Sequence, residues 1–584
     1  MKMKGKTDMK TNKIIAFLLA TLLFASCDGF LNQDVPQGTL SEEQISNPQY
    51  IDNLVISAYA IFISAEDINS SFSMWNFDVR SDDAYKGGNG TSDGDVFHQL
   101  EISQGILTTN WNINDMWVRL YNCLSRVNAA INALERVDNN FELKEQRLGE
   151  MKFLRAYGHF LLKRLYKRIP FVIKPNMTQA DYNMLSNTEY SNDEGWQIIV
   201  NDLTYSFNKL PQTQADKGRP TKAAAAALLA KTYLYKAYHQ DDEDANKKTL
   251  SHRVTEINAA ELDSVIFYTD PALYAGYDLE QDFHNNFRPE PMYENGVESV
   301  WAMQYSMNDG TKNGNLNWSY GLIVPNIPGV TDGGCDFYKP SQNLVNAFRT
   351  DDAGLPYPKE TFNQTNFNAA TDNADPRLWL TIGIPGFPYM FNSNYIMAKT
   401  MTWSRSNGLY GYNVSLKHNV DPDTEYLIKG AWWGSPMNRI VLRYADVLLM
   451  RAEALAQRGK DAEAIDIVNR LRNRAAQSVG MLNGYDINYG AKIRVMPYSD
   501  NANALERVKI ERRLELAMES ERFFDLVRWG EAEEVINLYY AEEAKRCAIY
   551  NAAHFTADKN EYLPIPYEQM AASNGHYTQN IGGW

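Results

Sequence analysis

RAEALAQRGKDAEAIDIVNRLRNRA, residues 451–475, predicts two helices joined by a short turn at Gly459. Glycine suits that turn because it accepts the left-handed conformation that ends a helix. The alanines lie where the two helices must approach closely, so the pair is built to pack on itself. Working outward, apolar residues recur at helical spacing through a second block, about 439–530, with helices expected over Arg439–Gln457, Asp461–Ala475 and Ala504–Trp529. A first block, about 40–240, has the same pattern over Asn53–Ile63, Trp111–Val137, Leu143–Lys167, Glu194–Leu210 and Thr221–Tyr238. Phe153, Tyr157, Phe160, Leu161 and Leu165 carry that periodicity, and Pro170 and Pro220 punctuate the ends.

Between the blocks, residues 241–437 are rich in Gly, Asn, Pro, Asp and aromatics and predict loops with short strands such as Ser299–Gln304. A long irregular segment of this kind usually carries function. A C-terminal segment, 531–584, follows the second block. The fold class is therefore mainly α: a helical scaffold with a large, irregular, loop-rich insertion containing short strands. The paired helices are similar to a tetratricopeptide unit but lack a strict period, which leaves a generic helical bundle as the alternative.

The N-terminus reads as a lipoprotein leader, residues 1–26. Lys2, Lys4, Lys6, Lys10 and Lys13 precede the apolar run Ile14–Ala25, and Ala25, Ser26 and Cys27 follow. That run is shorter than the roughly 20 residues a membrane-spanning helix needs, so it predicts a secretory signal. Cys27 is the expected acylation site, and lipid chains would supply the attachment. The mature chain, 27–584, is expected to form one large domain. Its net charge is −15 with the leader and lower without it, and mean hydropathy is −0.45. An acidic surface repels phosphate backbones, which argues against nucleic acid and favours a neutral over a polyanionic ligand. Cys123, Cys335 and Cys547 are too scattered for a disulfide framework and are expected as free thiols, mostly buried.

Several segments, in order, resemble the SusD/RagB family of outer-membrane nutrient-binding lipoproteins: CDGFLNQDVPQGTLSEEQ (27–44), EMKFLRAYGHFLLKRLYKRIPFV (150–172), RPTKAAAAALLAKTYLYKA (219–237), NRIVLRYADVLLMRAEALAQRG (438–459), VKIERRLELAMESERFFDLVRWGEAE (508–533), EYLPIPYEQM (561–570) and TQNIGGW (578–584). Two departures stand out. Lys167 and Arg168 replace a usual glycine, and Ser520 stands where glycine is common. The resemblance implies a tetratricopeptide-like scaffold, lipid-anchored in the outer membrane and facing the cell exterior. It implies a binder, not a catalyst, that presents polysaccharide or oligosaccharide, or sometimes peptide, to a SusC-like TonB-dependent outer-membrane barrel.

The residue chemistry fits a binder. A glycosidase needs two carboxylates across the scissile bond. Glu511, Glu515 and Glu519 stack at helical spacing, and the nearby Arg507, Arg512, Arg513, Arg522 and Arg528 predict a structural ion network. A sugar ring presents apolar C–H faces and a hydroxyl rim, which calls for aromatics beside Asp, Asn or Arg in loops. Four segments have that composition. Residues 71–90 supply Trp75, Asp78, Asp82 and Asp83; residues 313–321 supply Trp318 and Tyr320; residues 330–340 supply Cys335; residues 402–408 supply Trp403 and Arg405. Trp111, Trp117, Trp301 and Trp529 are assigned to the core. No catalytic residue, resident cofactor or metal is expected. The oxygen-rich loop Asn89–Asp95 is a weak Ca²⁺ candidate without the EF-hand pattern.

Overall fold

A computed structural model describes residues 48–63, 77–137, 141–174, 177–240, 251–311, 314–318, 320–400, 403–429, 433–483 and 493–584. The leader, Cys27 and Trp75 lie outside the described residues.

The scaffold is an array in which each helix packs on the next. Helices α1 (Pro48–Ile63), α2 (Trp111–Arg136), α3 (Lys144–Tyr166), α4 (Asn192–Lys209) and α5 (Lys222–Ala237) form the first block. The array continues through α6 (Ala259–Tyr268), a helix inside the segment expected to be loops. It then passes to α7 (Tyr444–Gln457), α8 (Asp461–Gln477) and α9 (Ala504–Glu515). Alanines allow the closest approaches: Ala223 to Ala227 and Ala230 of α5 are all fully or almost fully buried. Asn110, Ser191 and Thr221 cap α2, α4 and α5, their side-chain oxygens accepting amide protons of the first turn. The pairing of α7 with α8 across Gly459 (φ 72°) is the one expected for residues 451–475.

Two expected helices are interrupted. The run Arg439–Arg443 is a strand whose Ile440 and Leu442 pair with Ala302 and Trp301 of Ser299–Met303, with an irregularity at the β-branched Val441 between them. The expected helix 504–529 breaks after Glu515 and resumes as α10 (Arg522–Trp529), followed by α11 (Ala532–Glu543). At the break Met518 and Ser520 adopt φ 63° and 70°. Lys167, at the end of α3, has φ 57°. Both departures from the family's glycines therefore fall at left-handed backbone, where glycine is least strained.

The insertion contributes one strand to each of two two-stranded ladders, the partner coming from a helical block. In chain order these strands are β1 (Ala84–Gly87), β2 (Ser299–Met303), β3 (Phe337–Pro340) and β4 (Arg439–Arg443). β1 pairs antiparallel with β3, placing Gly87 opposite Phe337, and β2 pairs antiparallel with β4. A helical core and a separate insertion core, the latter containing Phe283, Tyr338, Phe348 and Trp379, meet at the ion network described next.

Arg443 donates to Glu298 (2.7 Å) and Glu515 (2.6 Å) through Nη1 and to Glu519 (2.8 Å) through Nε. Arg377 Nη1 reaches Glu511 and Glu515, each at 2.7 Å, and Arg474 reaches Glu298 (3.0 Å) and Glu515. Burial alone would raise the Glu515 carboxyl, but Arg474, Arg443 and Arg377 hold it well below the usual range. The stacked glutamates are thus structural, as expected. Their partners are not the expected neighbours in sequence: Arg512 pairs with Asp446 and Asp525, and Arg528 with Glu453 and Asp525.

Candidate functional site

The β1–β3 ladder determines which loops meet. β1 ends at Gly87 (φ 78°), whose missing side chain admits Asp336: a Cβ there would lie 2.4 Å from the Asp336 carbonyl oxygen. Gly88 N–H donates to that carbonyl (2.9 Å), Cys335 N–H to Gly321 O (3.1 Å) and Asp336 N–H to Val324 O (3.1 Å). Arg405 N–H donates to Asp336 Oδ2 (3.0 Å), and its Nη1 lies 3.4 Å from Cys335 O and 3.5 Å from Asp93 Oδ2. Residues 84–94, 320–324, 333–337 and 403–405 therefore converge, which joins parts of all four segments singled out in the sequence.

The loop after β1 is held by an internal cation. Lys86 Nζ donates to the carbonyls of Gly87 (2.9 Å), Gly90 (2.9 Å) and Asp93 (2.6 Å). Burial pulls this ammonium down to about 8, with Glu101 and Asp93 opposing the fall. Lys86 thus engages the carbonyls of Gly90 and Asp93 within the Asn89–Asp95 stretch.

The expected contact residues divide into two groups. Arg405 and Cys335 are partly exposed in the convergent region, Arg405 and its partner Asp93 with about a third of their side-chain surface open, and Trp318 is partly exposed in the segment before Tyr320. Trp318 rests on Gly434, where a Cβ would come within 3.1 Å of the ring. The other described candidates are interior, which corrects the sequence expectation. Asp82 is ion-paired with Arg522 (2.9 Å) and Arg513 (2.9 Å), and Asp83 with Arg513 (2.7 Å). Burial would raise Asp82, yet Arg513 and Arg522 hold it near 2. Asp78 accepts from the Tyr338 hydroxyl and from Ser520 N–H, and burial lifts its carboxyl to about 7. Tyr320 is buried and donates to Val420 O (2.9 Å), and Trp403 packs edge-on against Tyr389 with ring centroids 6.0 Å apart. These side chains are committed to the frame beneath the loops, because each finds its partner inside the protein.

One aromatic assigned to the core is at the surface. Trp111, the first residue of α2, is 50 % exposed, and its ring meets Phe97 edge-on at 6.1 Å. Phe97 in turn lies under Gly94 of the Lys86-bound loop. The helix phase contains the signal: Ile113, Met116, Trp117, Leu120, Cys123 and Leu124 are buried, while Trp111 lies on the stripe with Val118, Asn122 and Ser125. The convergent loops thus carry a partly exposed guanidinium–carboxylate pair, Arg405 with Asp93, with the accessible indole of Trp111 beside the Asp93 loop through Phe97, while Trp318 is partly exposed in the segment that leads to Tyr320 and Gly321. Such surfaces can stack on an apolar face and hydrogen-bond a rim of hydroxyls.

A helical-repeat scaffold carrying a loop-built surface site is the class of protein this geometry defines. The comparisons make it specific. The SusD family model matches residues 297–584, and the model described as "Starch-binding associating with outer membrane" matches residues 30–234. The chain belongs to the SusD family, whose members are associated with the outer membrane. It is 24 % identical to SusD-like protein P2 of Formosa agariphila, over 98 % of this chain and 100 % of that one. Among solved structures, a SusD-like protein from Bacteroides fragilis superposes with TM-score 0.69 at 19 % identity, covering 93 % of this chain and 98 % of that one. Surface glycan-binding protein A from Bacteroides thetaiotaomicron, in complex with laminarihexaose, superposes with TM-score 0.64 at 18 % identity, covering 91 % and 99 %. Among the described residues no helix is long and apolar enough to cross a membrane.

Proposed function

We propose that this chain is a cell-surface glycan-binding lipoprotein. It is anchored through Cys27, captures neutral polysaccharide or oligosaccharide at the convergent loops, and passes it to a SusC-like TonB-dependent barrel. The observation that carries this reading is the partly exposed Arg405–Asp93 pair on loops fixed by β1 and β3, with the exposed indole of Trp111 beside the Asp93 loop through Phe97. The laminarihexaose-bound structure with the same fold supports a carbohydrate as the ligand class. The binder reading, as opposed to a glycosidase, draws support from the carboxylates. Glu511, Glu515, Asp82 and Asp83 are buried against arginines and unavailable as an acid–base pair.

Affinity for a short oligosaccharide is expected to be weak, with Kd in the high-micromolar to millimolar range, about −4 to −6 kcal/mol. Affinity gel electrophoresis on a panel of neutral polysaccharides is expected to retard the wild-type protein. Trp111→Ala and Trp318→Ala should each lose most of that retardation without a change in thermal midpoint. Absence of retardation on every polysaccharide, with binding to peptides instead, would overturn the proposal in favour of a peptide-binding relative.

A further inference from the structure

A second recess lies on the helical block, on the side of α2 that leads away from the loops. It measures about 360 Å³ and is walled by Trp117, Tyr121, Tyr182 and Tyr577, with the amides of Asn122, Asn183 and Gln569 at its edges. None of its lining residues is acidic or basic, in a chain whose net charge is −15. The aromatics form a connected wall: Trp117 stands 5.1 Å from Tyr121 and 6.0 Å from Tyr577, centroid to centroid. The Tyr121 hydroxyl is spent on Pro170 O (2.7 Å), so that residue presents its ring to the recess and not its hydroxyl. Gln569, from the short C-terminal helix α12 (Tyr567–Ala572), donates to Asn114 Oδ1 (2.9 Å), which fixes its amide against α2.

We infer that this recess is a second subsite for a neutral glycan, serving the same polymer as the loop site. The inference rests on the glycan-binding reading above and adds to it a place and a selectivity. Amides and tyrosines both donate and accept hydrogen bonds, as sugar hydroxyls do, and they carry no charge whose desolvation must be offset. Carboxylate-bearing sugars would find no cation there. The recess volume falls within the range of small-molecule sites. The two sites also share one track. Trp111, Val118, Asn122 and Ser125 follow a single outward stripe of α2, and Trp111 to Asn122 spans about 16 Å at 1.5 Å per residue. A chain lying on the indole of Trp111 can therefore continue along α2 into the recess. Binding at two linked subsites raises the affinity for a polymer well above that for a short fragment.

The test is affinity gel electrophoresis with laminarin, pullulan, xyloglucan and galactomannan, and with alginate and polygalacturonate as acidic controls. Four proteins are compared: wild type, the loop pair Trp111→Ala/Trp318→Ala, the recess pair Asn122→Ala/Tyr182→Ala, and all four changes together. Asn122 and Tyr182 are solvent-facing, and an unchanged thermal midpoint of the recess pair serves as the folding control. The recess pair is expected to weaken retention by the recognised neutral polysaccharide about fivefold, with the quadruple variant showing none. A recess pair indistinguishable from wild type overturns the subsite and leaves the loop site standing. Loss in the recess pair with an unaffected loop pair overturns the loop site and leaves the recess. Retention on the acidic polymers alone overturns the neutral selectivity, and no retention of wild type on any polymer overturns both.

Discussion

Asp78 and Glu453 show how two buried carboxylates of one molecule are driven in opposite directions. Burial raises Asp78 to about 7, with Tyr338 and Ser520 donating only partial compensation. Glu453 would also be raised by burial, but Arg528 above all holds it near 2. The linkage signs follow. Glu453 contributes stability that is present above the unfolded value, about 4.3, and is lost as pH falls toward 2. Asp78 binds its proton in the folded state over the window from about 4 to 7, so its contribution declines as pH rises through that window. Asp78→Asn is therefore expected to flatten the thermal midpoint between pH 5 and 8 and to raise it at pH 8. Scanning calorimetry across that range checks this, and an unchanged slope would contradict it. Ser520 gives a simpler case. Its φ of 70° is strained for an L residue, so Ser520→Gly should stabilise by about 1 kcal/mol, read from urea midpoints.

At the scale of elements, the helices were legible and the breaks were not. Periodicity located α2, α3, α4, α5 and α8 within about two residues, the usual ambiguity of helix ends. It could not show that Arg439–Arg443 would leave a helical run to pair with Ser299–Met303, since that partner lies far away in sequence. Nor could it place the break after Glu515, which exists because Met518 O and Ser520 N are needed by Tyr338 and Asp78. The site was legible in part for the same reason. Loop composition marked Trp318, Cys335 and Arg405, but composition alone does not separate a loop aspartate bound by arginines from one facing water. Trp111 is legible only from helix phase, since amphipathicity alone does not separate the outward stripe of α2 from its buried face. The element that assembles the site is the β1–β3 ladder, and Gly87 is its closest approach. Gly87→Ala should cost about 2 kcal/mol or more, through both the left-handed backbone and the contact with Asp336. It should also weaken glycan retention although residue 87 is itself buried. Normal retention at a normal thermal midpoint would show that the ladder does not govern the loops.

At the scale of the whole molecule, the two helical blocks depend on each other. Lys231 of α5 is buried against Asp446 (3.1 Å) and Glu521 (2.8 Å), and Arg164 of α3 also reaches Glu521 (3.3 Å). Arg80 is buried with its Nη2 on Asn560 O (2.7 Å) and its guanidinium over the Phe523 ring. An unpaired charge in such surroundings is costly. A fragment ending at residue 240 is therefore expected to remain expanded, with a broad, non-cooperative melt by circular dichroism, while the full chain unfolds in one transition. A cooperative melt of the fragment would show that the first block is self-sufficient. The same pairing bears on how the chain folds. The groups that answer these first-block cations, Asp446, Glu521 and Asn560, lie more than 200 residues downstream of them. Closure of the early helices therefore waits on residues far downstream, which makes folding of the first block depend on the second.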